Sequence, residues 1–262
     1  MTGQSTRDEL RHQLLLRLRQ VRAAGIDWLP QAPELEFATG SQAAPSEDAS
    51  LAGALEIVDS PAEDGASLPE REQALTVLAA EVAKCTRCAE LCSTRTQTVF
   101  ADGRAGVELC FVGEAPGGDE DAQGLPFVGA AGQLLNKIIA ASGFQRGDVY
   151  ICNIIKCRPP GNRTPLASEA GNCREFLDRQ LELVRPKYIV ALGGCAASNL
   201  LNTTLSIGKL RGRFHDYKGI QVMVTYHPAF LLPHRSPEKK REVWDDMKWL
   251  LGKMGRAIPT KG

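Results

Sequence analysis

The chain has 262 residues, 43% of them hydrophobic, so we expect one globular domain with an extension rather than two full domains. It contains no run of about 18 apolar residues to span a bilayer, and its first residues lack the basic and apolar regions of a signal peptide. These features exclude a membrane role and predict a cytoplasmic protein. Eight cysteines in a reducing compartment indicate metal ligands before disulfides.

The formal net charge of +0 conceals two halves of opposite sign. Residues 1–84 hold 14 acidic and 7 basic side chains, whereas residues 85–262 hold 17 acidic and 24 basic ones. The second half is therefore basic, which fits a nucleic-acid partner without requiring one.

The N-terminal region, residues 1–30, contains an amphipathic helix predicted over residues 7–24. Its apolar positions recur at helical spacing, with arginines on the other faces. Such a helix could dock a replication or repair protein, or it could pack on its own domain.

Residues 31–70 hold nine acidic residues and no Lys or Arg, which is typical of a disordered linker. Order is predicted to resume with a helix over residues 71–84. The main globular domain is then expected over residues 71–256, followed by a short tail at 257–262.

Beyond the linker, apolar strands alternate with amphipathic helices. The predicted strands are 107–113, 149–154, 188–192 and 220–225, and the predicted helices are 130–142, 168–184, 195–201 and 237–254. This alternation predicts an α/β fold, a parallel sheet covered by helices on both faces. Ligands bind such sheets at the carboxyl ends of the strands. The residues at or next to those ends are Glu114, Asn153, Gly193-Gly194 and His227.

Four cysteines have metal-ligand spacing. Cys85 and Cys88 form a C-x-x-C pair, and Cys157 lies 16 residues before Cys173. Four thiolates can hold zinc or an iron–sulfur cluster, and the spacing does not choose between them. Cys92 is a rival ligand. The remaining cysteines are expected to be small buried hydrophobes: Cys110, Cys152 and Cys195.

Five blocks of sequence together resemble one known family. They are the Cys85–Cys88 pair, Gly113-Glu114-Ala115-Pro116-Gly117 with the acidic run at 119–121, Gly124-Leu125-Pro126-Phe127-Val128-Gly129, Asn153-Ile154-Ile155-Lys156-Cys157-Arg158-Pro159-Pro160 with Cys173, and Tyr226-His227-Pro228-Ala229. In this order they resemble the family 4 uracil-DNA glycosylases, over about residues 78–251.

The resemblance implies a three-layer α/β sandwich with a central four-stranded parallel sheet. It implies excision of uracil from double- or single-stranded DNA, leaving an abasic site. It also implies a [4Fe–4S] cluster rather than zinc, held by Cys85, Cys88, Cys157 and Cys173.

The chemistry of base excision assigns roles at the predicted pocket. Phe127 is expected to stack on the flipped base, and Asn153 to read its Watson–Crick edge. His227 is expected to donate to uracil O2 as negative charge develops there. Glu114 is the preferred residue for positioning water, and Glu120 is the alternative. Ala115, Pro116 and Gly117 are expected to line the pocket.

DNA contacts are predicted on basic loops and on the loop after His227. Leu231 is expected to fill the space that the flipped base leaves. Phosphate contacts are expected from Lys156, Arg158, Arg163, Arg211 and Arg213. We expect a monomer, associated with the nucleoid through its substrate.

Two other classes of protein remain as alternatives. A non-catalytic iron–sulfur protein that binds nucleic acid or transfers electrons would keep the cysteines, but would not need Phe127, Asn153 and His227 at one corner. A nucleotide-binding enzyme would use Gly193-Gly194 as a phosphate loop, but no G-x-G-x-x-G or Walker pattern is present.

Overall fold

The computed structural model describes residues 66–232 and 237–259. The helix predicted at residues 7–24, most of the 31–70 linker and the last residues of the tail lie outside the described residues. No helix within the described ranges is both long and apolar enough to cross a membrane.

The first described helix, α1 (Leu68–Ala83), begins three residues before the predicted start of the domain at residue 71. Its start is capped by the Glu70 carboxylate: the Ser67 backbone N–H donates to Glu70 Oε2 at 2.6 Å, and the Ser67 hydroxyl donates to the same oxygen at 2.8 Å. A Ser-x-x-Glu pattern with Pro69 in the first turn is a known helix start. The helix therefore begins three residues earlier than the pattern of apolar residues predicts.

The remaining elements keep the predicted alternation of strands and helices. The helices are α2 (Ala89–Thr94), α3 (Gly118–Gln123), α4 (Ala130–Ala141), α5 (Ala167–Val184), α6 (Gly193–Leu201), α7 (Ile207–Leu210) and α8 (Pro237–Lys253). Three of them, α2, α3 and α7, are short and were not predicted. The strands are β1 (Leu109–Gly113), β2 (Tyr150–Asn153), β3 (Tyr188–Leu192), β4 (Phe214–Tyr217) and β5 (Ile220–Thr225).

The strands form one sheet in the order β2-β1-β3-β5-β4. The first four in this order run parallel, which confirms the predicted parallel sheet. The β1–β2 register pairs Gly113 with Asn153, so the last residues of these strands lie side by side. The segments that follow β1, β2 and β5 therefore meet at one edge of the sheet.

One strand of the sheet, β4, was not predicted. It pairs antiparallel with β5 through a two-residue turn at Lys218 and Gly219, both with positive φ (49° and 83°). Such a turn joins tightly twisted hairpin strands. Because β4 is a short edge strand with only Tyr217 fully buried, it lacks the continuous apolar run of the other strands.

Helices cover both faces of the sheet, which confirms the three-layer sandwich. On one face, Leu109 and Phe111 of β1 pack with α4 and α8. On the other face, Cys110 and Val112 pack with α1, α5 and α6. Because both faces of β1 are buried, its residues do not alternate between apolar and polar. Polar functional groups appear only where the strand ends.

Candidate active site

A cavity of about 390 Å³ opens at the carboxyl ends of the parallel strands. This volume suits a small ligand such as a single base. All eight residues predicted for catalysis or base binding line it: Glu114, Ala115, Pro116, Gly117, Glu120, Phe127, Asn153 and His227. Residues from four separate segments therefore converge as the sheet topology requires.

Asn153 and Phe127 meet over Gly113, the last residue of β1. A Cβ atom at Gly113 would collide with Asn153 Oδ1 and with the Phe127 ring. Glycine is required here by close approach, since any side chain would displace both groups.

Asn153 carries a buried acceptor without a protein partner. Its side chain is 2% exposed, and its Oδ1 atom makes no hydrogen bond. An unsatisfied buried polar group costs about 1–3 kcal/mol. A ligand N–H reaching Oδ1 would remove that cost, so this atom points to a hydrogen-bond donor on the ligand.

Phe127 lies in an unusual backbone conformation, with φ at +54°. A bulky residue rarely adopts this region, and its presence at a site signals imposed geometry. The Phe127 ring lies 5.6 Å from the His227 ring, centroid to centroid, with 35° between their planes. The two rings therefore border the same part of the cavity.

His227 is held as a neutral imidazole. Its Nδ1 atom accepts a hydrogen bond from the Ala229 backbone N–H at 3.2 Å, which leaves the proton on Nε2. Burial lowers the pKa of His227 to about 4, although the negative charge of Glu120 acts in the opposite direction. The ring can thus donate one hydrogen bond near neutral pH without carrying a charge.

Glu114 and Glu120, the two acidic residues predicted at the cavity, have different surroundings. Burial raises the pKa of Glu114, and hydrogen bonds from Thr164 and Cys195 act in the opposite direction. Glu120 instead accepts three backbone N–H groups: Gly117 at 3.1 Å on Oε2, and Val128 at 2.9 Å and Gly129 at 3.0 Å on Oε1. Glu120 therefore ties the loop after β1 to the loop of Phe127, whereas the Glu114 carboxyl lies at the cavity without such backbone bonds among those described.

Two residues predicted at the DNA surface are buried. Lys156 is 0% exposed, and its Nζ donates to the Asn153 backbone carbonyl at 2.8 Å and to Gln180 Oε1 at 2.6 Å. Leu231 is 2% exposed, whereas its neighbour Phe230 is 40% exposed. Neither Lys156 as a phosphate contact nor Leu231 as a wedge agrees with the structure.

Two of the predicted phosphate-binding arginines are already ion-paired. Arg211 pairs with Glu242 and, at 2.9 Å, with Asp246 of α8. Arg163 lies at the cavity wall but bonds Glu169 at 2.7 Å and Glu90 at 2.8 Å. Carboxylates of the protein already balance the charges of both arginines. The prediction that these two arginines contact DNA phosphates is therefore corrected. Arg213 is exposed.

The four predicted metal-ligand cysteines belong to, or pack against, one core cluster. Arg95 Nη1 donates to Cys157 Sγ at 2.9 Å, and its Nη2 donates to the Cys85 carbonyl at 2.8 Å. Burial raises the pKa of Cys157 to about 11, with smaller contributions from Cys173 and Cys85. Burial likewise raises the pKa of Cys173, with contributions from Cys88 and Cys85. The four thiols are thus electrostatic neighbours.

The four thiols are the ligand type that either zinc or an iron–sulfur cluster takes. A zinc site needs four sulfurs about 2.3 Å from one centre, whereas in a [4Fe–4S] cluster each thiolate binds a different iron. Across residues 66–232 and 237–259, no three His, Cys, Asp or Glu side chains are placed to hold one metal ion.

No sequence motif indicates a role for Arg146, which holds the loop of Phe127. Its guanidinium donates to the backbone carbonyls of Pro126 at 2.6 Å and Phe127 at 3.2 Å. Arg146 lies outside the five motif blocks, and an arginine between a helix and a strand ordinarily reads as a solvated side chain. Only the folded structure shows its contacts.

The fold and the cavity agree with the comparisons to known proteins. A family model described as the uracil DNA glycosylase superfamily matches residues 100–248. The chain is 44% identical to a type-4 uracil-DNA glycosylase of Thermotoga maritima over 180 residues, covering 68% of this chain and 93% of the relative. It is 40% identical to one of Archaeoglobus fulgidus over 198 residues, covering 72% and 97%. The chain therefore belongs to the uracil DNA glycosylase superfamily, within the type-4 family.

Proposed function

We propose that this protein excises uracil from DNA by hydrolysing the bond between the base and the sugar. The observation that carries the proposal is the unpaired Asn153 Oδ1 atom in the cavity. The membership in the type-4 uracil-DNA glycosylases supports the same activity. The substrate is DNA, and the base must leave the stack to reach a cavity at the sheet edge.

The cavity offers uracil a matching set of groups. The Asn153 carbonyl would accept from N3–H, and its amide N–H would donate to O4. The Phe127 ring would stack on the face of the base. Cytosine presents an amino donor and an N3 acceptor at the same places, so it would leave both groups of Asn153 mismatched.

The chemical step places charge where the cavity can stabilise it. As the bond between sugar C1′ and base N1 breaks, its electron pair moves into the base, and negative charge develops on O2. The neutral His227 would donate from Nε2 to that oxygen. Water adds to C1′, and Glu114 would orient it and accept its proton. The products are free uracil and an abasic site.

The cysteines would hold a [4Fe–4S] cluster through Cys85, Cys88, Cys157 and Cys173. When bound, the cluster would supply a covalent tie between chain segments rather than a reactive group. Its ligands lie before α2, after β2 and within α5. The tie would hold the loop after β2, whose Pro159, Asn162 and Arg163 form one wall of the cavity.

Anaerobically purified protein is expected to contain iron and to absorb broadly in the visible range. Cys85→Ala should lose iron and much of its soluble yield, because one of four thiolates is removed. Cys92→Ala is the matched control and should keep its iron, since Cys92 is not in the assigned set. Stoichiometric zinc without iron in the parent protein would contradict the assignment.

Arg158 and Arg213 are proposed to contact DNA phosphates. The exposed Phe230 is proposed to lie beside the space that the flipped base leaves. We also propose that the protein acts as a monomer in the cytoplasm, near the nucleoid. The helix predicted at residues 7–24 is proposed to dock a replication or repair protein.

The pH dependence of excision follows from two shifted pKa values. Burial raises the pKa of Glu114, so its ionised form is lost as pH falls through that raised value. Burial lowers the pKa of His227 to about 4, so the neutral ring persists until pH falls to about 4. We therefore expect the acid limb of kcat/KM to report Glu114. Glu114→Gln should remove the limb from its residual activity, whereas a limb near the usual histidine pKa that His227→Gln abolishes would contradict this expectation.

The function is tested by incubating the purified protein with a uracil-containing oligonucleotide. We expect free uracil and an equal amount of alkali-labile strand. A non-catalytic iron–sulfur protein would bind the oligonucleotide and release nothing. That outcome would replace the proposed function with the binding role.

A further inference from the structure

Arg146 makes four hydrogen bonds with a single guanidinium. It donates to the carbonyls of Pro126 at 2.6 Å and Phe127 at 3.2 Å, and to Asn136 Oδ1 of α4 at 2.8 Å. Its Nε atom bonds Asp102 Oδ2 at 2.6 Å. The planar fork of arginine suits several acceptors in fixed directions. Arg146 itself does not line the cavity.

The loop that Arg146 holds carries backbone strain. Phe127 has φ at +54°, a conformation that costs about 1–3 kcal/mol and persists only when its surroundings enforce it. A second constraint comes from α4, where a Cβ atom at Gly132 would collide with the Phe127 carbonyl. The Phe127 backbone is thus held between Gly132 and the Arg146 guanidinium.

Asp102, the carboxylate partner of Arg146, is hydrogen-bonded to β2, the strand that ends at Asn153. The Asp102 N–H donates to the Ile151 carbonyl at 2.9 Å, and the Ile151 N–H donates to the Asp102 carbonyl at 2.7 Å. Ile151 lies two residues before Asn153 in β2. A short series of bonds therefore connects the Phe127 backbone, Arg146, Asp102 and β2.

We propose that Arg146, anchored by Asp102, is a positioning residue that sets the distance between the Phe127 ring and the Asn153 amide. This inference rests on the proposed function, because it assigns these two groups to one base. It adds to that function the residue that fixes the distance between the stacking ring and the amide that reads the base. A displacement of about 1 Å at a reacting group can cost on the order of 100-fold in rate.

The variants are Arg146→Met and Arg146→Lys. Methionine removes all four bonds. Lysine keeps a charge for Asp102 but cannot reach both loop carbonyls, so it should restore activity only in part. Arg174→Met is the matched control, because Arg174 also pairs with a carboxylate, Asp178 at 2.6 Å, and donates to a backbone carbonyl away from the cavity.

Three quantities are measured for each variant: single-turnover excision, inhibition by free uracil, and affinity for undamaged DNA. Arg146→Met is expected to lower excision about 10- to 100-fold and to weaken inhibition by uracil, with DNA affinity unchanged. Arg174→Met should keep excision and uracil inhibition close to the parent. Equal losses in the two variants would show that Arg146 contributes only to the general stability of the protein. That result would overturn the proposal.

A double-mutant cycle with Phe127→Leu tests whether Arg146 acts through the ring. If it does, Arg146→Met should cost much less in the Phe127→Leu background than in the parent. Fully additive losses would overturn the inference while leaving uracil excision by the parent intact. Absence of uracil release by the parent itself would instead refute the proposed function, so the two failures are distinguishable.

Discussion

Asn153→Asp is expected to lose most uracil excision and to gain detectable excision of cytosine. The substitution replaces the amide donor for uracil O4 with an oxygen that accepts from the cytosine amino group. A protonated carboxyl would also donate to cytosine N3. Each mismatched buried group costs about 1–3 kcal/mol, so two give on the order of 100-fold discrimination or more. The buried, unpaired Oδ1 atom is the reason to expect so large an effect.

The gain of cytosine excision should be clearest in single-stranded or mismatched DNA, where extruding the base costs less. The measurement is release of each base from oligonucleotides that differ only at one position. Asn202→Asp is the matched control, because Asn202 directly follows α6 and does not line the cavity. An Asn153→Asp protein that keeps its fold, its iron and full uracil excision would show that Asn153 does not read the base.

The second large effect is expected for His227→Ala. Removing one preorganised donor from a developing negative charge costs about 100- to 1,000-fold in rate. The loss should appear in the single-turnover rate and not in DNA affinity, because the hydrogen bond strengthens only as charge develops on O2. His227→Gln should recover part of the rate, since its amide can donate without charge.

His215→Gln is the control for the histidine variants. His215 lies on β4, where its Nε2 atom contacts the Leu210 carbonyl at 2.8 Å, and it does not line the cavity. Its excision rate should match the parent. If His227→Ala instead weakened DNA affinity and left the single-turnover rate unchanged, His227 would be a binding residue and not the group that stabilises the leaving base.

The sheet and the cavity were predictable because their signals are local. Each parallel strand is a short apolar run, and Glu114, Asn153 and His227 lie at the end of such a run or within two residues of it. Topology then brings strand ends together without further information. The β4 strand was missed because an edge strand lacks this pattern, although the Lys218-Gly219 turn was a usable signal.

The errors at the DNA surface have a different cause. A basic residue in a loop predicts exposure, but partners distant in sequence decide whether the charge stays free. Lys156 is buried against Gln180 of α5, and Arg211 pairs with α8. Arg146 went unnoticed for the same reason, since its partners at Pro126 and Asp102 lie 20 and 44 residues away. Long-range hydrogen bonds leave no local pattern.

The most direct test compares two single-stranded oligonucleotides that differ by one methyl group. One carries deoxyuridine and the other 3-methyldeoxyuridine, which keeps O2, O4 and the ring but lacks the N3–H donor. With iron content confirmed, the protein should release uracil together with an equal amount of alkali-labile strand, and should release little or no 3-methyluracil. Equal release of both bases would contradict reading by Asn153 Oδ1, and release of neither would contradict uracil excision itself.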